Sequence, residues 1–184
     1  VILGCGDTGA DCLGTALRQK AHSVHQFEIL PRPPLERAPH TPWPLWPHML
    51  RTETSHEEGG IREWSVATTA FSGDERGNVK RLHAVRVGPP PAFELVPGTE
   101  FTLEVDLVLL ALGFVGPTRN GLLEQLGVAL DERGNVATDE NSMTSVRGIF
   151  AAGDMRRGQS LVVWAMAEGR LAARQMDAYL TARP

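Results

Sequence analysis

The segment Gly4-Cys5-Gly6-Asp7-Thr8-Gly9 has the spacing G-x-G-x-x-G, directly behind the apolar run Val1-Ile2-Leu3 and ahead of a helical pattern. The first glycine permits a tight turn, the second lets backbone approach a pyrophosphate, and the third lets helix and strand pack closely. The free N–H groups and partial positive charge of a helix N-terminus then favour phosphate. The pattern predicts a dinucleotide site built from Gly4, Cys5, Gly6, Asp7, Thr8 and Gly9. Such a site calls for an acidic residue about 20 positions further on, at the end of the second strand. Glu28, 24 residues after Gly4, is the candidate. A carboxylate there accepts ribose hydroxyls and repels a 2′-phosphate, whereas arginines such as Arg32 and Arg37 are what a 2′-phosphate needs. Both arginines read equally well as solvated loop charges, so NADPH and NADH stay open.

A second constellation lies near the other end. A short apolar strand, Ile149–Ala152, runs into Gly153-Asp154, and after a polar loop a helix is expected to begin near Ser160. A carboxylate fixed at a strand end can hold a sugar or sugar-alcohol hydroxyl. Backbone N–H groups of Gln159, Ser160 and Leu161 at the helix start can stabilise negative charge on a ligand ring. Asp154 is equally a common turn residue, and the pattern alone does not choose.

Other chemistries find little support. The six histidines are scattered without a ligand-spacing pair, so no metal site is expected. Cys5 and Cys12 form neither a zinc pair nor a C-x-x-C redox pair. With 18 basic and 22 acidic residues, a net charge of -4 leaves no electrostatic footprint for nucleic acid. No apolar stretch is long enough for a transmembrane helix and no signal peptide is visible, so the expected location is the cytoplasm.

The elements that must position these residues are legible in outline. Ala10, Leu13, Ala16 and Leu17 recur at helical spacing from Asp7 to about Gln19, with Asp7 or Thr8 as the expected cap. Ser23–Ile29 is a β-type run, which makes a βαβ crossover with parallel strands. Only three residues precede Gly4, so the chain is read as starting inside a strand, as a piece of a longer protein. Residues 31–47 hold seven of the thirteen prolines and predict an extended loop, anchored by Trp43 and Trp46. Strands are expected around Ser65–Phe71, Leu82–Val87 and Phe101–Val105, the first two joined by the hairpin-type turn "SGDERGN". The run from Asp106 to Leu112 predicts a strand buried on both faces. A short helix over Leu122–Leu126, strands near Val136 and at Gly148–Ala152, and a helix from about Ser160 to Leu180, buried in its apolar first half, complete the reading.

Taken in order, "GDTGADCLGTALRQ", "FEILPRPPLERAP", "PWPLWP", "DLVLLALGFVGP" and "GIFAAGDMRRGQSLVVWAMAEGRLAA" resemble the small (β) subunits of glutamate synthases. The resemblance implies a glutathione-reductase-like α/β flavoprotein in which a Rossmann-like NAD(P)H domain is inserted into a split FAD domain. Residues 1–114 would be the NAD(P)H-binding domain, with its first strand truncated, and residues 115–184 the C-terminal half of the FAD domain. Asp154, beside Gly153, would hold the FAD ribityl chain. Gln159, Ser160 and Leu161 would face the flavin's pyrimidine edge, and Gly113 would lie at the crossing between domains. The implied activity is oxidation of NAD(P)H by hydride transfer to FAD. Electrons would then pass through iron–sulfur clusters to a large subunit that makes glutamate from 2-oxoglutarate and glutamine. The clusters belong to the parent protein only, since no cysteine cluster occurs here. The flavin and nicotinamide carry such chemistry, so no catalytic acid, base or nucleophile is named. The alternatives are a dinucleotide-binding fragment without turnover and a related NAD(P)H:acceptor flavoprotein subunit.

Three departures from the family pattern bear on these expectations. Cys5 narrows the room beside the pyrophosphate, and Lys20 stands where glycine is common at the helix end. Glu28-Ile29-Leu30 occupies the place where related NADPH enzymes often carry an Arg-Arg pair.

Overall fold

A computed structural model describes residues 1–45 and 47–182. The chain divides into two compact units, Val1–Gly113 and a second beginning at Phe114.

The first unit opens with strand β1 (Ile2–Leu3), helix α1 (Asp7–Arg18) and strand β2 (His25–Phe27). After the proline-rich segment come a one-turn helix α2 (Thr54–Glu57) and strand β3 (Ile61–Glu63), neither apparent from the sequence. Three antiparallel strands follow: β4 (Val66–Gly73), β5 (Val79–Arg86) and β6 (Phe101–Glu104). The chain then returns as β7 (Leu109–Leu110). The four parallel strands run in the order β3-β2-β1-β7, and β4-β5-β6 form a separate sheet.

Alternation along β1 organises two cores, because successive side chains of a strand point to opposite faces. Ile2 packs with Leu13 of α1 and Val24 on one face. Leu3 packs with Phe27, Val66, Leu82, Ala84 and Val105 on the other, against the antiparallel sheet. The parallel sheet is therefore the middle of three layers.

Two expectations for this unit are corrected. Trp43 does not anchor the proline-rich loop: its side chain is 83% exposed. Backbone bonds close the loop instead, Ala38 N–H to the His48 carbonyl (3.0 Å) and Leu50 N–H to the Pro34 carbonyl (2.7 Å), with Ala38 buried. Trp46 lies outside the described residues. The run 106–112 is not buried on both faces, because among the described residues β7 is an edge strand paired with β1; Leu110 is 68% exposed.

The second unit has helices α3 (Leu122–Leu126), α4 (Asp154–Arg157) and α5 (Val162–Thr181). The strands expected near Val136 and at Gly148–Ala152 reduce to isolated bridges, Leu130 with Val136 and Met143 with Phe150. The polar loop expected after Asp154 is the turn of helix α4, and α5 starts two residues later than expected. The first half of α5 is not buried: Val162 is 71% exposed, and Val163, Trp164 and Met166 are exposed with it. A core of Leu123, Val136 and Ala151 is too small to cover a helix apolar all round. Among the described residues, no helix is long and apolar enough to cross a membrane.

Candidate functional site

In the parallel sheet, the strand order reverses between β1 and β7, and open α/β sheets bind ligands outside the carboxyl ends of strands at such a point. Gly4 ends β1 there. Its N–H donates to the Phe27 carbonyl (2.8 Å), while Ala111 N–H donates to the Leu3 carbonyl (2.7 Å). Gly4 takes φ +110°, and a Cβ on it would collide with the Ala111 carbonyl oxygen. A Cβ on Gly9 would collide with the Gly4 carbonyl oxygen and stand 2.6 Å from Gln26 Nε2. Gly6 differs from both: among the described residues, its own chain neighbours aside, no atom lies within 4 Å of where its Cβ would be. Two glycines thus serve the packing of the turn, and the middle one fronts open space.

The expected cap of α1 is corrected. An N-cap needs extended backbone, and the residue that has it is Gly6 (φ -79°, ψ -175°), with Asp7 and Thr8 already inside the first turn. No side chain accepts a hydrogen bond at this cap. The donors of the first turn therefore keep their capacity for an anion.

Beside the turn lies a cavity of about 360 Å³ whose walls include Cys5, Gly6, Asp7, Glu28, Arg51 and Arg62. That volume is within the range of small-molecule sites. Glu28 follows β2 directly. Its Oε2 accepts from Cys5 N–H (3.2 Å) and its Oε1 from Leu30 N–H (3.1 Å), so the acidic residue braces the glycine turn. A carboxylate offers about four acceptor sites, which leaves capacity for a ligand hydroxyl. Burial first, and then the nearby Glu28 carboxylate, pushes the Cys5 thiol up to about 11, against the opposing pull of Arg62.

Arg32 and Arg37 do not line this cavity. Arg37 donates to the Thr41 (2.9 Å) and Leu45 (3.0 Å) carbonyls within the proline-rich loop. The Arg32 guanidinium sits 5.1 Å from the Trp64 ring centroid, as does that of Arg62. The cavity's cations are Arg51 and Arg62, which sequence reasoning missed: one lies in the loop and the other on the unrecognised β3. Gly113 ends the first unit at φ +84° with open space around it.

In the second unit, Asp154 and Gln159 share a cavity of about 280 Å³ with Phe114, Gly116, Pro117 and Met155. Asp154 Oδ1 accepts from Ser160 N–H (3.3 Å), so this backbone donor is engaged within the chain. Leu161 is the exposed N-cap of α5, with no side chain bonding that cap. Gly153, at φ +70°, donates its N–H to Glu168 Oε2 (2.9 Å). The buried Glu168 also accepts from Arg157 Nε (2.7 Å) and from an Arg156 guanidinium N–H (3.1 Å). Burial works against its ionisation, but the Arg157 and Gly153 hydrogen bonds and the two guanidinium charges outweigh it and lower its pKa. A lone carboxylate in the apolar stretch "VVWAMAEGRLAA" was the available signal, since a buried charge needs partners. Among the described residues, no cluster of His, Cys, Asp and Glu is placed to hold a metal ion.

The pyridine nucleotide-disulphide oxidoreductase family matches residues 1–169. The chain belongs to that family. Among curated relatives, it is 60% identical over 181 residues to the glutamate synthase [NADPH] small chain of Mycobacterium tuberculosis, covering 98% of this chain and 37% of the relative. To the Bacillus subtilis protein of that name it is 43% identical, covering 98% and 39%. The chain thus spans less than two-fifths of the length of these relatives. Two solved structures share the family's fold: the thioredoxin reductase of T. acidophilum (TM-score 0.69, 22% identity, 98% of this chain and 52% of that one) and the Lactococcus lactis thioredoxin reductase (0.66, 19%, with the same coverage).

Proposed function

We propose that the chain is part of a glutamate synthase small subunit, with an NAD(P)H site in its first unit and one portion of an FAD site in its second. The parent would oxidise NADPH and pass electrons, through iron–sulfur clusters outside this chain, to a large subunit in the cytoplasm that makes glutamate. The observation that carries the first part is the uncapped N-terminus of α1 with open space over Gly6. The residues present fit a dinucleotide: first-turn donors for the pyrophosphate, and Glu28 beside the cavity for a ribose hydroxyl. Arg51 and Arg62 line the same cavity and support NADPH over NADH, despite Glu28.

The residues of the second unit fit a flavin in part. Asp154 and Gln159 meet in one cavity, where the carboxylate would hold a ribityl hydroxyl, while the exposed apolar residues of α5 would lie against the rest of the FAD domain. In the parent, the nicotinamide would supply a hydride and the flavin would be its acceptor. The protein binds and orients the two rings. With its pKa pushed up to about 11, the Cys5 thiol stays protonated at neutral pH, and no thiolate enters the scheme.

Gly6→Val tests the first part, because the added Cβ points into open space that a pyrophosphate would take. The expected result is loss of NADP⁺ binding, followed by tryptophan fluorescence, with an unchanged circular dichroism spectrum. Unaltered affinity overturns the site. A second reading, a binding module without turnover, is favoured by the exposed start of α5. The visible spectrum of the chain with added FAD, before and after anaerobic NADPH, separates the two. A retained flavin band that bleaches supports turnover, and absent flavin with dinucleotide still bound supports the module.

A further inference from the structure

One polar chain in the first unit has no part in the reading above, although it ends on the glycine-rich turn. The Gln26 side chain is wholly buried, and its Nε2 donates to the Gly4 carbonyl oxygen (3.0 Å). It lies so close to Gly9 that a Cβ there would meet it. At its other end, Gln26 Oε1 is 3.2 Å from His56 Nε2. The His56 ring is held in turn by Glu53 N–H, which donates to Nδ1 (3.0 Å), while the Glu53 carboxylate accepts the His56 backbone N–H. These contacts dictate the tautomer. Nδ1 is an acceptor, so the ring proton is on Nε2 and is donated to Gln26. The amide is thereby oriented with its NH₂ toward Gly4.

We infer that His56 and Gln26 are positioning residues for the glycine-rich turn, and that dinucleotide affinity follows the protonation state of His56. The inference rests on the dinucleotide site proposed above. A proton on Nδ1 would set two donors, Glu53 N–H and Nδ1–H, against each other. It would also place a cation near Arg62. The ring must then move, and Gln26 loses the partner that fixes its amide. The groups around the ring are Glu53 ahead of α2, Gln26 of β2 and Arg62 of β3, with Cys5, Asp7, Glu28, His48 and Arg51 along the same cavity. Burial and the Arg62 charge lower the pKa of His56 against the opposing effect of Glu53, so the ring is neutral at pH 7.

NAD⁺ is the suitable probe, because it lacks a 2′-phosphate that would itself titrate. Its dissociation constant is measured for the full chain from pH 4.5 to 8, with circular dichroism at each pH to confirm folding, since the His56 pKa lies below 6.5. Affinity is expected to fall about threefold to tenfold toward acid, the scale of one hydrogen bond. His56→Gln, which keeps a donor for Gln26 without titrating, should bind within about twofold of wild type at pH 7.5 and show no acid step. His56→Asn, too short to reach Gln26, should bind more weakly at every pH. His48→Asn should keep the step. A flat wild-type profile, a step that survives in His56→Gln, or one that vanishes in His48→Asn overturns the inference. The amide NMR signals of Cys5 and Gly6 give a readout independent of ligand. They should titrate in wild type and not in His56→Gln, and an unmoved wild-type signal overturns the relay. Failure to bind NAD⁺ at any pH while those signals still titrate would strike the dinucleotide site and leave the relay standing.

Discussion

Glu28 has two duties that oppose each other under mutation. Its oxygens take the amides of Cys5 and Leu30, holding the glycine turn against the end of β2, and its charge faces the cavity that Arg62 also lines. Glu28→Ala would remove the brace along with the charge. Glu28→Gln removes the charge and keeps one of the two acceptors, so it disturbs the turn less than alanine while testing the effect on a 2′-phosphate. The ratio of NADP⁺ to NAD⁺ affinity is expected to rise about fivefold or more, the worth of one like charge at close range in a partly solvated site. Parallel titrations of the two oxidised cofactors measure it, and an unchanged ratio means the 2′-position lies elsewhere. Arg62, through its position on β3, joins Arg51 in offsetting the acidic groups of this cavity.

The end of α1 shows the same economy at the level of an element. Lys20 N–H bonds the Leu17 carbonyl (2.8 Å) and Ala21 N–H the Ala16 carbonyl (3.0 Å), the pair that defines a Schellman stop. That geometry sets Lys20 at φ +65°, a region L-residues enter at a cost. Lys20→Gly is therefore expected to stabilise the chain by about 0.5–1 kcal/mol, measured by urea unfolding. Elements with local signatures were legible in the sequence: the glycine turn, the α1 periodicity and the β4–β5 hairpin each carry their cause within a dozen residues. The hairpin is an example, since Asp74 accepts from the Arg76 and Asn78 amides to close its own loop. What depended on distant partners was not legible. β3 is three residues with Ile61 exposed, and it exists because His25–Phe27 pairs with it. Arg62, on that strand, therefore had no signal, nor had Arg51 in the loop before it, while Arg32 and Arg37 have the expected position in the chain but do not line the cavity. The α5 helix was read as buried from its composition, but composition reports what a face prefers, not what stands opposite it.

At the scale of the whole chain, acid should act on the two units through different groups. In the first, His56 has a lowered pKa, so the unfolded chain takes up its proton first and stability falls as pH drops from about 6.5. In the second, Glu168 has a lowered pKa, and its contribution is complete above about 4.5 and lost as pH falls through the lower folded value. Glu168→Gln is expected to cost about 1.5–3 kcal/mol at pH 7, the worth of hydrogen bonds to a charged group. It should also flatten the stability profile below pH 4.5. Urea unfolding of both forms from pH 3 to 7 measures each effect, and a parallel loss in the two forms would show that Glu168 is not the acid-sensitive group.

The pairing of β1 with β7 has a consequence for the order in which the molecule can be made. Ile2 lies beside Leu109 and Gly4 beside Ala111, more than a hundred residues apart in the chain, with the whole antiparallel sheet emerging between them. As a nascent chain leaves the ribosome from its N-terminus, β1, α1 and β2 can assemble early, because their contacts are local. The wall that Gly4 abuts arrives last. Until it does, β1 is an open edge, able to pair with a strand from elsewhere. The glycine-rich turn, translated ahead of β7, is finished only when β7 arrives.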